Sequence, residues 1–179
     1  NKFTASIIAG VDGDGNVIEN CSSTATINSD ISGDATNGGL VAYLRSGSLT
    51  ITNCRFGGQF TGANCHSNGG FIGYMNPGTT ATLTNCHFAP TEISTKKDNS
   101  ATYSRYGGNA KLTVINSYCT TVYEPDAATV KIDGVEYMVL RTSNDWDTFR
   151  SKVDAAKGKS DVNAIMDADF STEYSCAMN

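Results

Sequence analysis

The feature that most constrains this chain is a pattern that occurs twice, in residues 38–56 and in residues 69–88. Each copy has two glycines, a short apolar run, a glycine-containing turn and an alternating segment that ends in Asn-Cys-X-Phe. The first copy is Gly38-Gly39-Leu40-Val41-Ala42-Tyr43-Leu44, then Ser46-Gly47, then Leu49-Thr50-Ile51-Thr52-Asn53-Cys54-Arg55-Phe56. The second copy is Gly69-Gly70-Phe71-Ile72-Gly73-Tyr74-Met75, then Asn76-Pro77-Gly78, then Ala81-Thr82-Leu83-Thr84-Asn85-Cys86-His87-Phe88. Repeats of this length are typical of solenoids, in which each unit packs on the next.

Weaker copies lie on either side of these two. The units begin at residues 5, 38, 69 and 101, so the steps between them are 33, 31 and 32 residues. Each unit reaches an asparagine 15 or 16 residues after its start, namely Asn20, Asn53, Asn85 and Asn116. The chain therefore contains four units, with tight spacing inside each unit and looser spacing between them.

The apolar residues of a unit follow the period of a strand. Leu49 and Ile51 alternate with Thr50 and Thr52, and no helical stripe accompanies them. Each unit is expected to be a strand, a glycine-containing turn, a second strand that runs through Asn-Cys, and a variable loop. Because one such unit cannot bury an apolar face alone, the sequence predicts an all-β parallel solenoid over residues 1–123.

Stacking of the units predicts two columns of structural side chains. Equivalent asparagines would lie about 4.8 Å apart, where their amides can hydrogen-bond to one another. The expected columns are Asn20, Asn53, Asn85 and Asn116, and beside them Cys21, Cys54 and Cys86. Cysteines at such interior positions are expected to be buried free thiols. Cys65 and Cys176 lie outside the columns and are the candidates for redox chemistry.

Composition and charge narrow the class of protein. The chain has 179 residues, 18 of them glycine, and carries 13 basic and 18 acidic residues. This acidic balance, with no cluster of lysine or arginine, argues against a nucleic-acid partner. No apolar run approaches the length of a membrane span, so no membrane insertion is expected. The hydroxyl-rich strands and low charge favour an extracellular bacterial protein.

Residues 124–179 have a different character. Residues 129–139 alternate around Asp133-Gly134 and predict a hairpin with a two-residue turn. A helix is predicted over about residues 144–157, with Trp146, Phe149 and Val153 on one side and an N-cap from residues 142–144. A final strand is predicted over residues 162–170. This segment could cap the open end of the solenoid or begin a following module.

The glycine-containing strands carry a family resemblance. Gly39-Leu40-Val41-Ala42 and Gly70-Phe71-Ile72-Gly73, each followed by an Asn-Cys segment, resemble the GLUG-type repeats of large secreted or cell-surface proteins of gut anaerobic bacteria. The resemblance covers about residues 5 to 120. It implies a right-handed parallel β-helix and an adhesin-like role. In the first and fourth units, Ala9-Gly10 and Ser104-Arg105 depart from the glycine pattern, so distortion is expected there.

Catalytic and metal sites find little support. A glycosidase needs paired carboxylates, but the aligned strand positions hold Asn, Thr, Cys and Phe. Asp167 and Asp169 are two residues apart and so share one face of a strand, but they lie in the C-terminal segment and are expected to be solvated. Asp12-Gly13-Asp14-Gly15-Asn16 departs from a calcium loop, because the bidentate glutamate of an EF-hand has no counterpart. Cys65-His66 and Cys86-His87 lack the spacing of a zinc site. Asp30 and Asp34 offer only a loose calcium site. We expect no enzyme activity, metal or cofactor.

The surface offers one candidate for ligand binding. The inter-unit loops at 28–37, 62–68 and 94–100 are expected to emerge from one edge, which in repeat proteins is often the binding face. Tyr43, Tyr74 and Tyr106 recur at matching positions and could form an aromatic platform for glycans. The competing interpretation is that these tyrosines simply stack along one strand face.

The sequence therefore predicts a non-enzymatic, extracellular structural or adhesive solenoid of a larger bacterial surface protein. Its expected partners are glycans or surface proteins of the host or of bacteria. One alternative is a carbohydrate-binding or carbohydrate-active β-helix. A second is a filament subunit that self-associates through the solenoid ends.

Overall fold

A computed structural model of the chain describes residues 2–30, 36–62, 68–94, 101–119, 128–132, 135–156 and 162–166. The described residues form a parallel β-solenoid of about three turns, as the repeat predicts. Each complete coil contains five short strands. The first coil comprises β1 (Phe3–Thr4), β2 (Ile8–Val11), β3 (Asn16–Glu19), β4 (Ser22–Ser23) and β5 (Thr26–Asn28).

The following coils repeat this order. The second coil comprises β6 (Thr36–Gly38), β7 (Val41–Leu44), β8 (Ser48–Thr52), β9 (Arg55–Phe56) and β10 (Gln59–Thr61). The third comprises β11 (Asn68–Gly69), β12 (Ile72–Met75), β13 (Thr80–Thr84), β14 (His87–Phe88) and β15 (Glu92–Ile93). The fourth is described through β16 (Ser104–Tyr106), β17 (Lys111–Ile115) and β18 (Tyr118–Cys119). Equivalent strands pair in parallel, so five sheets run along the solenoid.

The expected second strand through Asn-Cys is wrong in detail, because the chain turns a corner there. β8 ends at Thr52 and β9 begins at Arg55. Between them Asn53 has a φ of 53°, and Asn20, Asn85 and Asn116 have φ values of 55°, 53° and 48°. Asparagine tolerates this left-handed conformation better than most residues other than glycine. Each coil therefore bends at its asparagine, and one predicted strand becomes two.

The core is built from side chains that repeat from coil to coil. Ile51, Leu83 and Val114 occupy matching positions of neighbouring strands and are at most 1% exposed. The paired glycines are needed for close packing of the coils. A Cβ atom on Gly39 or Gly70 would collide with a carbonyl oxygen of the next coil and with a phenylalanine ring of its own coil.

The C-terminal segment continues one sheet of the solenoid. β19 (Thr129–Ile132) and β20 (Val135–Leu140) form the predicted antiparallel hairpin, and the Asp133-Gly134 turn lies outside the described residues. The helix α1 spans Ser143–Ala156, close to the predicted 144–157. β21 (Ala164–Met166) pairs in parallel with both β18 and β20. The hairpin is thereby joined to the last coil.

Contacts between aromatic rings hold this segment against the solenoid at two places. Trp146 and Phe149 of α1 pack against Tyr118 of β18, with ring centroids 6.2 and 6.5 Å apart. Inside the solenoid, Tyr137 of β20 lies beside Tyr103 with a centroid separation of 6.1 Å, and both side chains are about 1% exposed. In this position the segment covers part of the end of the solenoid.

The start of α1 is fixed by a reciprocal capping interaction. The Asp145 amide donates to Thr142 Oγ1 over 3.2 Å, while Asp145 Oδ2 accepts from the amides of Thr142 and Arg141 over 2.9 and 3.1 Å. These backbone hydrogen bonds, with that from the Thr142 hydroxyl, hold the pKa of the Asp145 carboxyl below its usual range. Thr142 is therefore the N-cap residue.

We expect Thr142→Ala to lower the free energy of unfolding by about 1 kcal/mol, the usual loss for an N-cap side chain. Urea unfolding followed by circular dichroism measures this change. Thr148→Ala is the matched control, because Thr148 lies on the exposed surface of the same helix, where alanine is the better helix former. Equal destabilisation by both substitutions would contradict the assigned cap.

Candidate functional site

The asparagine corners form a directional column of side-chain hydrogen bonds. Asn53 Nδ2 donates to Asn20 Oδ1, and Asn85 Nδ2 donates to Asn53 Oδ1, each over 3.1 Å. Asn116 has the same backbone conformation, but its Oδ1 is buried without a hydrogen-bond partner. Both of these amide donors point toward the N-terminal coil. We call Asn20, Asn53, Asn85 and Asn116 the asparagine ladder.

The residue after each asparagine forms a second directional column. Backbone hydrogen bonds link Cys21 to the thiol of Cys54 and Cys54 to the thiol of Cys86. Each of these thiols also lies close to a carbonyl oxygen two residues earlier, with Cys54 Sγ 3.2 Å from Thr52 O and Cys86 Sγ 3.4 Å from Thr84 O. The sulfur atoms therefore satisfy backbone groups that the corner removes from the regular sheet.

The second column ends at a residue that the repeat does not reveal. The Cys86 amide donates to Ser117 Oγ over 3.0 Å, and the Ser117 amide donates to Asn163 Oδ1 over 2.9 Å. Asn163 Nδ2 donates in turn to Val114 O over 3.2 Å. Asn163 is 3% exposed and takes the position that a further coil would fill. We call Cys21, Cys54, Cys86, Ser117 and Asn163 the corner column.

The environment of the thiols makes them unreactive. Burial raises the pKa of the Cys54 thiol and raises that of Cys86 to about 12. Both groups are thus protonated near neutral pH, whereas nucleophiles and metal ligands are thiolates. The described cysteines Cys21, Cys54, Cys86 and Cys119 are free thiols. Cys65 and Cys176, the candidates for redox chemistry, lie outside the described residues.

The proposed aromatic platform differs from the sequence prediction in register. Tyr43 pairs with Tyr74, but Tyr74 pairs with Arg105 instead of Tyr106, which lies opposite Met75. The cause is a bulge between β12 and β16. Unit four has one residue fewer than unit three between the small-residue pair and the following turn. The departure expected at Ser104-Arg105 is therefore a deletion of one strand residue.

The rings of Tyr43 and Tyr74 pack against each other and against neighbouring side chains. Phe3 stacks on Tyr43 with centroids 5.2 Å apart, and Tyr43 lies 6.0 Å from Tyr74. The Arg105 guanidinium carbon lies 5.3 Å from the Tyr74 centroid. The Tyr43 hydroxyl donates to Asn76 Oδ1 over 2.6 Å. A sugar stacks on a free ring face, but Tyr43 and Tyr74 have neighbours on both sides along the column.

Comparisons with known proteins are the remaining source of a functional assignment. No family model matches this chain, and searches of the curated proteins and of the solved structures also returned no match. The GLUG resemblance therefore remains a prediction. The function must be argued from the geometry of the columns.

His87 belongs to a third column, on the side of its sheet that faces away from the solenoid core, where neighbouring side chains leave it only partly exposed. It pairs with Arg55 of the second coil and Tyr118 of the fourth, and its ring stacks on Tyr118 at a centroid distance of 3.9 Å. Cys86, next in sequence, faces the opposite side and lies in the core. The two residues thus do not converge on a shared ligand. Among the described residues no cluster of three or more His, Cys, Asp or Glu side chains could hold a metal ion.

Several weak candidates cannot be placed. Asp34, Cys65, His66, Asp167 and Asp169 lie outside the described residues. Asp30 is exposed. In Asp12-Gly13-Asp14-Gly15-Asn16 the asparagine amide nitrogen donates to Gly13 O over 2.8 Å, and Asp12 pairs with Arg45 over 3.3 Å. These contacts are those of a turn.

The described part of the chain also contains no helix with the length and apolarity of a membrane span.

The asparagine ladder yields a prediction that separates backbone strain from hydrogen bonding. Asn53→Gly keeps the left-handed corner accessible but removes two ladder bonds, and we expect it to cost about 1–2 kcal/mol. Asn53→Ala adds the strain of a positive φ, so it should cost roughly 1 kcal/mol more than the glycine variant. Equilibrium urea unfolding of the three proteins measures both steps. A glycine variant as stable as the parent would contradict a stabilising ladder.

His87 yields a prediction of pH dependence. Burial, and secondarily the nearby charge of Arg55, lower the pKa of His87 from 6.5 to about 3. As the pH falls, His87 therefore takes up a proton at about pH 6.5 in the unfolded chain but only at about pH 3 in the folded chain. Stability is complete above the unfolded pKa and falls as the pH decreases through this window.

Between about pH 7 and pH 5 we expect a loss of roughly 2 kcal/mol, since each pKa unit corresponds to ~1.4 kcal/mol. His87→Phe retains a ring against Tyr118 but does not titrate, so its stability should change less over this range. Parallel urea titrations at the two pH values measure the difference. The same pH dependence in both proteins would contradict the assignment to His87.

Proposed function

We propose that this chain is a non-catalytic structural module of a larger extracellular bacterial surface protein. The observation that carries the proposal is the use of the repeated side chains. Asn53 bonds to asparagines on both neighbouring coils, the Cys54 thiol lies 3.2 Å from the carbonyl oxygen of Thr52, and Tyr43 lies between two aromatic rings. Side chains engaged in this way stabilise coil stacking and are unavailable to a substrate.

The positions of the carboxylates also favour a non-catalytic role. In the described sheets of the solenoid, Glu19 pairs with Thr52, and Glu92 pairs with Gln59. A glycosidase of either stereochemical class requires two carboxyl groups on opposite sides of one bond. The described strands carry no two carboxylates at the same position of adjacent coils.

A carbohydrate-binding role is the alternative, and one residue would favour it. Tyr106 is 45% exposed, whereas Tyr43 and Tyr74 are only partly exposed within their stack. An aromatic ring with a free face is the usual sugar platform. Partners such as glycans or surface proteins would then contact Tyr106 and the loops between coils.

The test is to incubate the full chain with a panel of bacterial and host polysaccharides and to screen it on a glycan array. The module proposal predicts no increase in reducing ends, no unsaturated uronates and no saturable glycan binding. Saturable binding that is lost in Tyr106→Ala and retained in Ile93→Ala, which changes another exposed apolar side chain, would favour the carbohydrate-binding alternative. Catalytic turnover that grows with protein concentration would overturn the non-catalytic proposal.

A further inference from the structure

The two ends of the solenoid differ, and the N-terminal end is open. Among the described residues, the five strands of the first coil pair only with the second coil. Ile7 and Ile8 are 47% and 41% exposed, although their backbone amides bond to Leu40 O, at positions where Leu40 and Val41 are fully buried. Core positions are therefore exposed at this end.

This edge lacks two common protections against strand pairing. The strands β1 to β5 contain neither proline nor lysine, which natural edge strands often use to prevent association. The backbone groups of the first coil that bond to the second coil show, by elimination, which groups face the open side. The Arg55 amide donates to Cys21 O, and the Asn20 amide donates to Thr52 O. By register, the Ser22 amide and the Glu19 carbonyl face the open side.

The two side-chain columns present matching groups at the same end. Asn20 Oδ1 accepts from Asn53 Nδ2, and Asn53 Oδ1 accepts from Asn85 Nδ2. Because Asn20 shares the corner conformation of Asn53, we infer that its Nδ2 donor faces the open side. In the corner column the Cys86 amide donates to Ser117 Oγ of the following coil, and a backbone hydrogen bond likewise links each of Cys21 and Cys54 to the thiol of the next coil. The Cys21 sulfur is therefore positioned to accept an N–H from a coil below it.

We propose that the N-terminal end is a docking surface for one further coil of a parallel β-solenoid, supplied by another polypeptide segment. The incoming coil runs in the same sense as the first. It carries an asparagine corner whose Oδ1 accepts from Asn20 Nδ2, followed by a residue whose N–H donates to Cys21 Sγ. Apolar side chains of that coil cover Ile7 and Ile8. The inference deepens the proposed structural role, because it names what the module stacks on.

A second copy of this chain does not fit that surface. Two N-terminal ends facing each other would place Asn20 Nδ2 donors against Asn20 Nδ2 donors, would make the strands antiparallel and would bring together the acidic side chains of Asp14 and Glu19. In a head-to-tail arrangement the C-terminal segment already covers the edge of β18 and the core beside Tyr103, so a second copy would collide with it. Asn163 completes the corner column above Ser117, and β21 pairs with the free edge of β18.

The test uses the full chain and an extended chain in which a copy of residues 36–68 is placed directly before Phe3. Amide hydrogen exchange is measured by NMR at Ser22 and Thr26. Stacking of the added coil should slow exchange at these amides by at least about tenfold, as expected when edge strands become internal. Unchanged exchange at both amides would overturn the proposal.

A substitution at the ladder end provides a second readout that does not depend on the same amides. Asn20→Asp keeps the oxygen that Asn53 uses and removes the Nδ2 donor. It should leave the urea midpoint of the parent chain nearly unchanged and lower that of the extended chain. An equal effect in both chains would overturn the role of Asn20. Thr50→Val, which changes an exposed side chain of the second coil, is the control and should affect both chains equally.

The choice of occupant is tested by sedimentation velocity of the parent chain. The proposal predicts a monomer over the accessible concentration range. A dimer whose formation slows exchange at Ser22 would show that a second copy occupies the surface and would overturn the proposed partner. Because these measurements follow stacking, and the polysaccharide assays follow ligand binding and turnover, failure of one proposal is distinguishable from failure of the other.

Discussion

The left-handed asparagine corner is the constraint on which the rest of this solenoid depends. At Asn20, Asn53, Asn85 and Asn116 the backbone adopts a positive φ, which most residues resist and asparagine tolerates. The same side chain carries a donor and an acceptor, and Asn53 uses both to bond to the asparagines of its two neighbouring coils. One residue type thus satisfies the bend and the stacking together, which explains why the corner recurs with so little variation in spacing.

Because each ladder bond has a donor and an acceptor, the stack has a direction. The side-chain amides of Asn53 and Asn85 donate toward the first coil, and the backbone amide of Cys86 donates the opposite way, to Ser117 Oγ. At the far end Asn163 supplies the side-chain oxygen that the Ser117 amide needs, and α1 and β20 cover part of the solenoid. The near end has no comparable termination among the described residues. The difference between the two ends follows from the chemistry of the columns and not from the shape of the fold alone.

Much of this architecture was predictable from residue spacing. The repeat of small pairs and Asn-Cys dipeptides predicted a parallel solenoid, and the alternation around residues 129–139 predicted the hairpin. The corner was missed because Leu49 to Cys54 alternates as one strand would, and alternation does not show where φ changes sign. The tolerance of asparagine for that conformation was the available signal.

Other features needed three-dimensional information. The register of Arg105 depends on one missing strand residue in unit four. Units two and four nevertheless have the same distance of 15 residues from the small pair to the asparagine, because the turn of unit four is one residue longer. A count of residues before the turn would have found it. Asn163 lies 46 residues after Ser117 and outside the repeat, so no periodicity points to it. Its role appears only when β21 is placed beside β18.

Side-chain amide exchange measured by NMR tests the account most directly. If the ladder exists as described, the Nδ2 hydrogens of Asn53 and Asn85 exchange slowly because each group donates to the preceding asparagine, whereas those of Asn20 exchange rapidly. The same spectra report φ through the backbone coupling constants of the four corner residues. Equal, rapid exchange at all three side chains, or negative φ at the corners, would contradict the central role of the asparagine ladder.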